Sequence, residues 1–289
     1  MANFVLEAGS TLSSAGSLFV VAAGLTLVFG AMRVINLAHG SFYMYGAFIT
    51  STVVGVTTGV RFWFALVLAA LTVTVLGVIV ELGVVRWVTR RDPLTQLVST
   101  FAVFLILSDL GLRIWGTAFR SVPTPLVVAR SVSVGGSVLP MYDFVIVGVA
   151  LLVGLGLWIL LRHTVLGWKI RAAVDDYELL EAGGVNLRYL NLGVFALGAL
   201  LAGLGGAIVT PQISVAPGID ASIIVSAFLV AVIGGLGSVL GSALGALVIG
   251  AADTVGTLVA PTWAATFMYV AVIVVLAARP WGLLGTAER

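Results

Sequence analysis

The six residues Asn36-Leu37-Ala38-His39-Gly40-Ser41 interrupt two long apolar stretches and carry one of the chain's two histidines. Backbone broken inside lipid is tolerated only where protein buries it or where it lines a water-filled cavity. Asn36, His39, Gly40 and Ser41 are therefore candidate elements of a translocation pathway. A second island, Gly234-Gly235-Leu236-Gly237-Ser238, has no titratable side chain but poses the same backbone problem. Consecutive glycines are costly as helix, and the polar groups freed there need partners. Because broken helices recur in transport proteins, Gly234, Gly235, Gly237 and Ser238 are placed in the pathway too. Gly241 and Gly245 continue a small-residue stripe that lets helix backbones approach closely, and these two are read as packing.

Other chemistry is poorly supplied. A lone buried histidine is more often a structural donor than a ligand, and no second His, Cys or acid lies at metal spacing near His39. With His163 in a polar loop, a Ser-His-acid or zinc site would rest almost entirely on His39. No catalytic residue and no metal site is assigned, and a membrane-embedded enzyme stays a minor alternative. Asp109 and Arg113 are four apart and can pair across a turn; Glu81 and Arg86 are similar, near the headgroups. A proton-coupled carrier wants an unpaired acid deep in the bundle, and the pattern places none at mid-depth. A nucleotide-binding P-loop needs a lysine preceded by glycine, but the single lysine, Lys169, follows Trp168. The chain is expected to bind no cofactor itself; ATP and Mg, if used, belong to separate ATPase subunits.

Composition defines the setting. Hydrophobic residues make up 61% of the 289 and charged residues 9%, against an average of about 25% charged. The expected fold is an all-α polytopic transmembrane helical bundle, with lipid as its main partner. Apolar segments run end to end with no polar block between them, so residues 1–289 are read as one transmembrane domain. The sequence pI is 9.2, yet the basic residues form no run or stripe, which excludes nucleic acid as a partner. Cysteine is absent, removing disulfide and thiolate chemistry. Glu7 stands where a signal peptide would carry positive charge, so Leu12 onward reads as a retained span.

A spanning helix needs about 20 apolar residues. Charge-free intervals place about eight segments near 12–33, 41–59, 62–88, 96–117, 142–161, 188–210, 221–252 and 263–279, some broken or paired as hairpins. The interval 221–252 is too long for one span and breaks at the glycine island. Basic residues favour the cytoplasmic side. If 221–252 is a hairpin of two short helices, ten of them, from Arg33 through Arg86, Arg171 and Arg279 to Arg289, fall inside and four outside. That puts the amino terminus outside and the carboxyl terminus in the cytoplasm. In this topology 24–55 and 222–252 both run inward, break and return, which suggests a parallel internal repeat. Two connections stand out. Ser121 to Pro140, with three prolines and alternating Val/Ser, suits an ordered external loop with a short strand or turn. Arg162 to Arg188 reads as a short amphipathic cytoplasmic helix stopped by Gly183-Gly184, an obvious docking surface for an ATPase.

Four stretches together carry a resemblance: GLTLVFGAMRVINLAHGSFYMYGAFI (24–49), RHTVLGWKIRAAVDDYELLEAGGVNLRYLNLGVFALGALLAGLGGAI (162–208), AFLVAVIGGLGSVLGSALGALVIGAAD (227–253) and RPWGLLG (279–285). In order and spacing they resemble LivH-type permeases of branched-chain amino-acid ABC importers. The resemblance implies a permease in the cytoplasmic (inner) membrane that takes branched-chain or other small apolar amino acids from an extracytoplasmic binding protein. It also implies a LivM-like second permease and two ATPase subunits of LivG/LivF type. Relatives implied to import urea, amides or aromatic and small carboxylates keep the substrate open, and a self-sufficient secondary carrier or channel is the runner-up. Arg171, Ala172, Asp175 and Asp176 fall in the family's ATPase-coupling segment, and Glu178 extends its acidic face. Ser41 stands where relatives often have Glu, Leu240 where proline is common, and Gly183-Gly184 where Leu-Gly is usual.

Overall fold

A computed structural model describes residues 2–55, 59–134 and 137–285. Helix α1 (Ala2–Met32) is followed by α2 (His39–Val54), α3 (Val60–Val88) and α4 (Pro93–Trp115). Strands β1 (Ser131–Val134) and β2 (Ser137–Pro140) pair antiparallel, Val132 facing Leu139. The hairpin realises the strand expected in the external loop; the paired glycines at its tip lie outside the described residues. Then come α5 (Met141–His163), α6 (Val165–Asp175), α7 (Tyr177–Ala182), α8 (Leu187–Val209), α9 (Ile219–Gly234), α10 (Val239–Val259) and α11 (Pro261–Ala278), whose first turn is 3-10.

Seven of these, α1, α3, α4, α5, α8, α10 and α11, are long and apolar enough to cross a membrane among the described residues. The chain is a multi-pass helical bundle. Helix α1 is its axis: 78% of its most apolar window is buried, against 17% for α5 and none for α11. Outer helices turn Leu71, Ile106, Leu152 and Ile273 outward, as a bundle solvated by lipid must. Association in lipid depends on close backbone approach. A methyl group on Gly46 would lie 2.1 Å from the Gly203 carbonyl oxygen, and one on Gly245 would lie 2.3 Å from that of Val230. Gly241 likewise meets the Gly234 carbonyl, so the stripe of α10 packs as expected.

The expected span 41–59 is half-length, and of the two short helices expected in 221–252 only the first is short, the second being long enough to cross. At 1.5 Å per residue, the 16-residue helices α2 and α9 reach about 24 Å, short of the roughly 30 Å hydrocarbon core. Each starts inside the bundle. The chain leaves α1 at Arg33, whose φ of 54° is left-handed and whose amide bonds to Phe29. It then runs back beside α1, so that α2 opens level with Val21. Residues 210–218 similarly lead into α9. The half-length helix thus comes second in 24–55 and first in 222–252, which is not the parallel repeat that the break positions suggested.

The ends of the bundle differ in charge. One gathers Arg86, Arg90, Arg162 and Arg171 with the break between α9 and α10 and is called the basic end here. The other carries the β-hairpin. The polar connection 162–188 is two helices rather than one, because Asp176 adopts an extended conformation (φ −152°, ψ 102°) and its Oδ1 caps α7 at the Leu179 amide, 2.9 Å away.

Candidate functional site

Histidine 39 opens α2 deep in the bundle. Its Nε2 donates to the Val21 carbonyl at 2.9 Å, eleven residues before the end of α1, hence about 16 Å from the basic end. The ring is fully buried, and Nδ1 has no hydrogen-bond partner. Asn36 Oδ1 and Ser41 Oγ are also buried and unpartnered. Buried polar atoms are nearly always satisfied in folded proteins, so three orphans within six residues are an unusual concentration. The residues preceding α2 and α9 give neither a side-chain cap, and in α9 only the Ala221 amide finds a side chain, that of Asp220. The first N–H groups of each helix therefore add positive potential inside the bundle.

Those two N-termini touch. A methyl on Gly40 would lie 2.3 Å from the Asp220 carbonyl oxygen and 2.9 Å from Ile224 Cβ. Asp220 sits in the first turn of α9 with a relative exposure of 1%. Its Oδ2 accepts from the Ser108 hydroxyl of α4, and its Oδ1 from the Ala221 amide at 3.0 Å. The acid that the sequence pattern did not place at mid-depth is this one; it read as the boundary of the 221–252 hairpin. The available signal was length, since Asp220 is only fourteen residues from the Gly234 break.

Glycine island 234–238 is elsewhere. Its turn lies at the basic end, where a methyl on Gly30 of α1 would come 2.8 Å from Gly237 Cα. The freed carbonyls find partners in the chain's own tail: the Leu283 amide donates to Ile233 at 2.7 Å and that of Leu284 to Gly234 at 3.1 Å. Gly235 and Gly237 have φ of 98° and 90°, conformations that glycine adopts without strain. Ser238 caps α10 through the Gly241 amide at 3.0 Å. The two islands thus form separate sites along the bundle.

What the glycine break does meet is the connection 162–188. Gly237, Arg171, Val174 and Asp175 line one cleft of about 200 Å³ with Gly30 and Leu27. Ile170, Ala173 and Leu180 are buried beneath the two short helices, and Ala172 is half-buried. Arg171, Asp175, Asp176 and Glu178 are exposed. Tyr177 accepts from Asn191 of α8 at 2.9 Å, and Glu181 pairs with Arg90 at the end of α3. The short helices are therefore bolted to the spans while an acidic edge stays free.

Of the expected ion pairs, Asp109–Arg113 forms at 2.6 Å on the exposed side of α4. Glu81 is not a headgroup-facing acid but is 1% exposed, in a π-helical turn, with Arg86 3.6 Å away.

Residues 8–277 match a family described as the permease component of branched-chain amino-acid transport systems. The chain is 30% identical over 281 residues to the high-affinity branched-chain amino-acid transport system permease protein BraD of Pseudomonas aeruginosa, covering 93% of this chain and 92% of that one. It is 27% identical over 299 residues to the corresponding permease protein LivH of Escherichia coli, covering 97% and 94%. A probable LivH of Methanocaldococcus jannaschii is 26% identical over 251 residues, covering 83% and 77%.

Proposed function

The chain belongs to the family of permease components of branched-chain amino-acid transport systems, and from this premise we propose that its basic end grips an ATPase while the broken helices within the bundle form the substrate path. It is a membrane-spanning permease subunit of an ABC importer, a class that works with ATPase and binding-protein partners. One observation carries the proposed mechanism: the acidic helices and the glycine break share a cleft, Arg171 and Asp175 on one side and Gly237 on the other. Movement imposed on α6 and α7 reaches the α9–α10 turn without an intermediary, and α9 carries it to Asp220 and the start of α2. A helix lying in a partner's groove is a common way to transmit such movement.

In this reading the basic end is cytoplasmic, as the positive-inside tendency directs, the amino terminus is external, and the membrane is the cytoplasmic one. The ATPases, of LivG/LivF type, hold ATP and Mg; this subunit binds no cofactor. A LivM-like permease completes the path, and branched-chain or other small apolar amino acids are its cargo. Urea, amides and small or aromatic carboxylates are the competing substrates, to be separated by melting shifts of the cognate binding protein.

Reconstitution tests the core of the proposal. The purified chain alone should give no uptake in proteoliposomes, and addition of both ATPases, the second permease and the binding protein should give ATP-dependent uptake. Uptake by the single chain would establish a self-sufficient carrier instead. Orientation is read by cysteine labelling in this cysteine-free chain. Glu178→Cys should react only from the cytoplasm and Arg130→Cys only from outside. Gly218 is a poor reporter, because its φ of 95° strains any side chain.

A further inference from the structure

A carboxylate buried among apolar helices with no cation beside it calls for a reason. Asp220 is 1% exposed, and its hydrogen-bond partners are one hydroxyl and one amide. The three ion pairs among the described residues use other acids. In a membrane span an ionisable group without a counter-ion is by default a functional one. Beside Asp220 stand the N-termini of α9 and α2, whose backbones meet at Gly40.

A second polar group points the same way. Ser41 is fully buried and its Oγ has no partner. It lies four residues, or one turn, before Tyr45, on the same face of α2. The Tyr45 hydroxyl donates to the Leu107 carbonyl at 3.1 Å, and the next residue of α4 is the Ser108 that holds Asp220. Ser41 therefore faces the junction of α2, α4 and α9 one turn below Tyr45, beside Gly40 and the Asp220 carbonyl it abuts.

The geometry points to this junction as the recognition site for the charged head of a zwitterionic amino acid: Asp220 takes the ammonium group, displacing Ser108, while Ser41 and the uncapped N–H groups of α2 take the carboxylate. Each half supplies what the other lacks. An ammonium group is the counter-ion missing from Asp220, and an anion is what an uncapped helix N-terminus with a free hydroxyl binds. The site reads the amino-acid head and leaves selection among side chains to the binding protein. Partially broken helices elsewhere present substrate carboxylates with the same kind of N-terminus. The inference rests on the amino-acid reading of the cargo.

Two substitutions separate recognition from a structural pin. Asp220→Asn keeps an acceptor for Ser108 but loses the charge, whereas Ser108→Ala loses the hydrogen bond but keeps the charge. Both are made in the complete importer in proteoliposomes, with leucine as the probe and with melting temperature and ATPase copurification as controls. Recognition predicts that Asp220→Asn lowers leucine uptake roughly tenfold or more, as removal of a buried charged partner does, while Ser108→Ala keeps it within a factor of about three. Ser41→Ala should raise the KM for delivered substrate. A structural pin predicts equal losses in the first two variants together with a lowered melting temperature, and that result overturns the site. Normal uptake by Asp220→Asn overturns it as well. If the wild-type importer takes up no amino acid but does take up an amide or a carboxylate, the cargo reading has failed, and the recognition site falls with it.

Discussion

Gly40 and Asp220 are in backbone contact: a Cβ on the first would lie 2.3 Å from the carbonyl oxygen of the second. The contact joins the N-termini of α2 and α9, and a carbonyl in a helix cannot swing aside as a flexible side-chain end can. Gly40→Ala should therefore force the helices apart and cost about 1–3 kcal/mol, as overpacking in a tight core does. Thermal melting in detergent reads the loss, and uptake should fall further than stability, because the displaced groups include Asp220. An unchanged melting temperature with normal uptake would show that the two helices do not meet in this way.

The tail has a task at the glycine break. Leu284 is about half exposed, but its amide holds the buried Gly234 carbonyl. Leu284→Pro removes the donor with little loss of packing, and leaving one buried acceptor unsatisfied costs about 1–3 kcal/mol. Hydrogen exchange should accelerate at the end of α9, with no change at its start. Leu284→Ala, which keeps the amide, should behave like wild type.

Acidic residues at the basic end divide into two kinds. Asp175 and Glu178 are exposed and hold no helix, whereas Asp176 caps α7. The double reversal Asp175→Lys with Glu178→Lys is expected to loosen the ATPase and abolish transport while the melting temperature holds, since like charges across an interface cost several kcal/mol. Asp176→Ala should instead cost about 1 kcal/mol through the lost cap. Copurification of the double variant at the normal ratio would exclude this face as the ATPase contact.

Asp92 caps α4 outside the spans. The Thr95 hydroxyl donates to its Oδ1 at 2.7 Å and the Thr95 amide to its Oδ2 at 2.9 Å. These bonds favour the ionised form and hold its pKa below the ordinary carboxylate value. With the folded value depressed, the cap's contribution is fully present above the unfolded pKa of about 3.9. It is lost as pH falls through the lower folded value. Exchange of the Thr95 amide should show this acid-side loosening in the wild type and not in Asp92→Asn.

Charge-free intervals located the membrane segments, though not which of them cross fully, because lipid forbids unpaired charge and long apolar runs have no other solvent. They equally exposed both breaks, since Asn36–Ser41 and Gly234–Ser238 cannot continue a helix without cost. The β1–β2 pairing and the amphipathic connection were legible from Val/Ser alternation and from turn residues. What the pattern could not carry is depth. An interval such as 188–220 or 220–253 fits a full crossing or a half-helix that starts inside the bundle, and the choice depends on what lies opposite. Gly40 against Asp220, and Val21 against His39, made that choice through contacts between residues 18 to 180 positions apart. The split at Asp176 arose the same way, from a local cap competing with the helix that the apolar spacing favoured. Local chemistry thus specified where the chain breaks. Only the packing of α1, α2, α4 and α9 decided that one break lies inside the bundle with a buried acid beside it and the other at the surface under the chain's own tail.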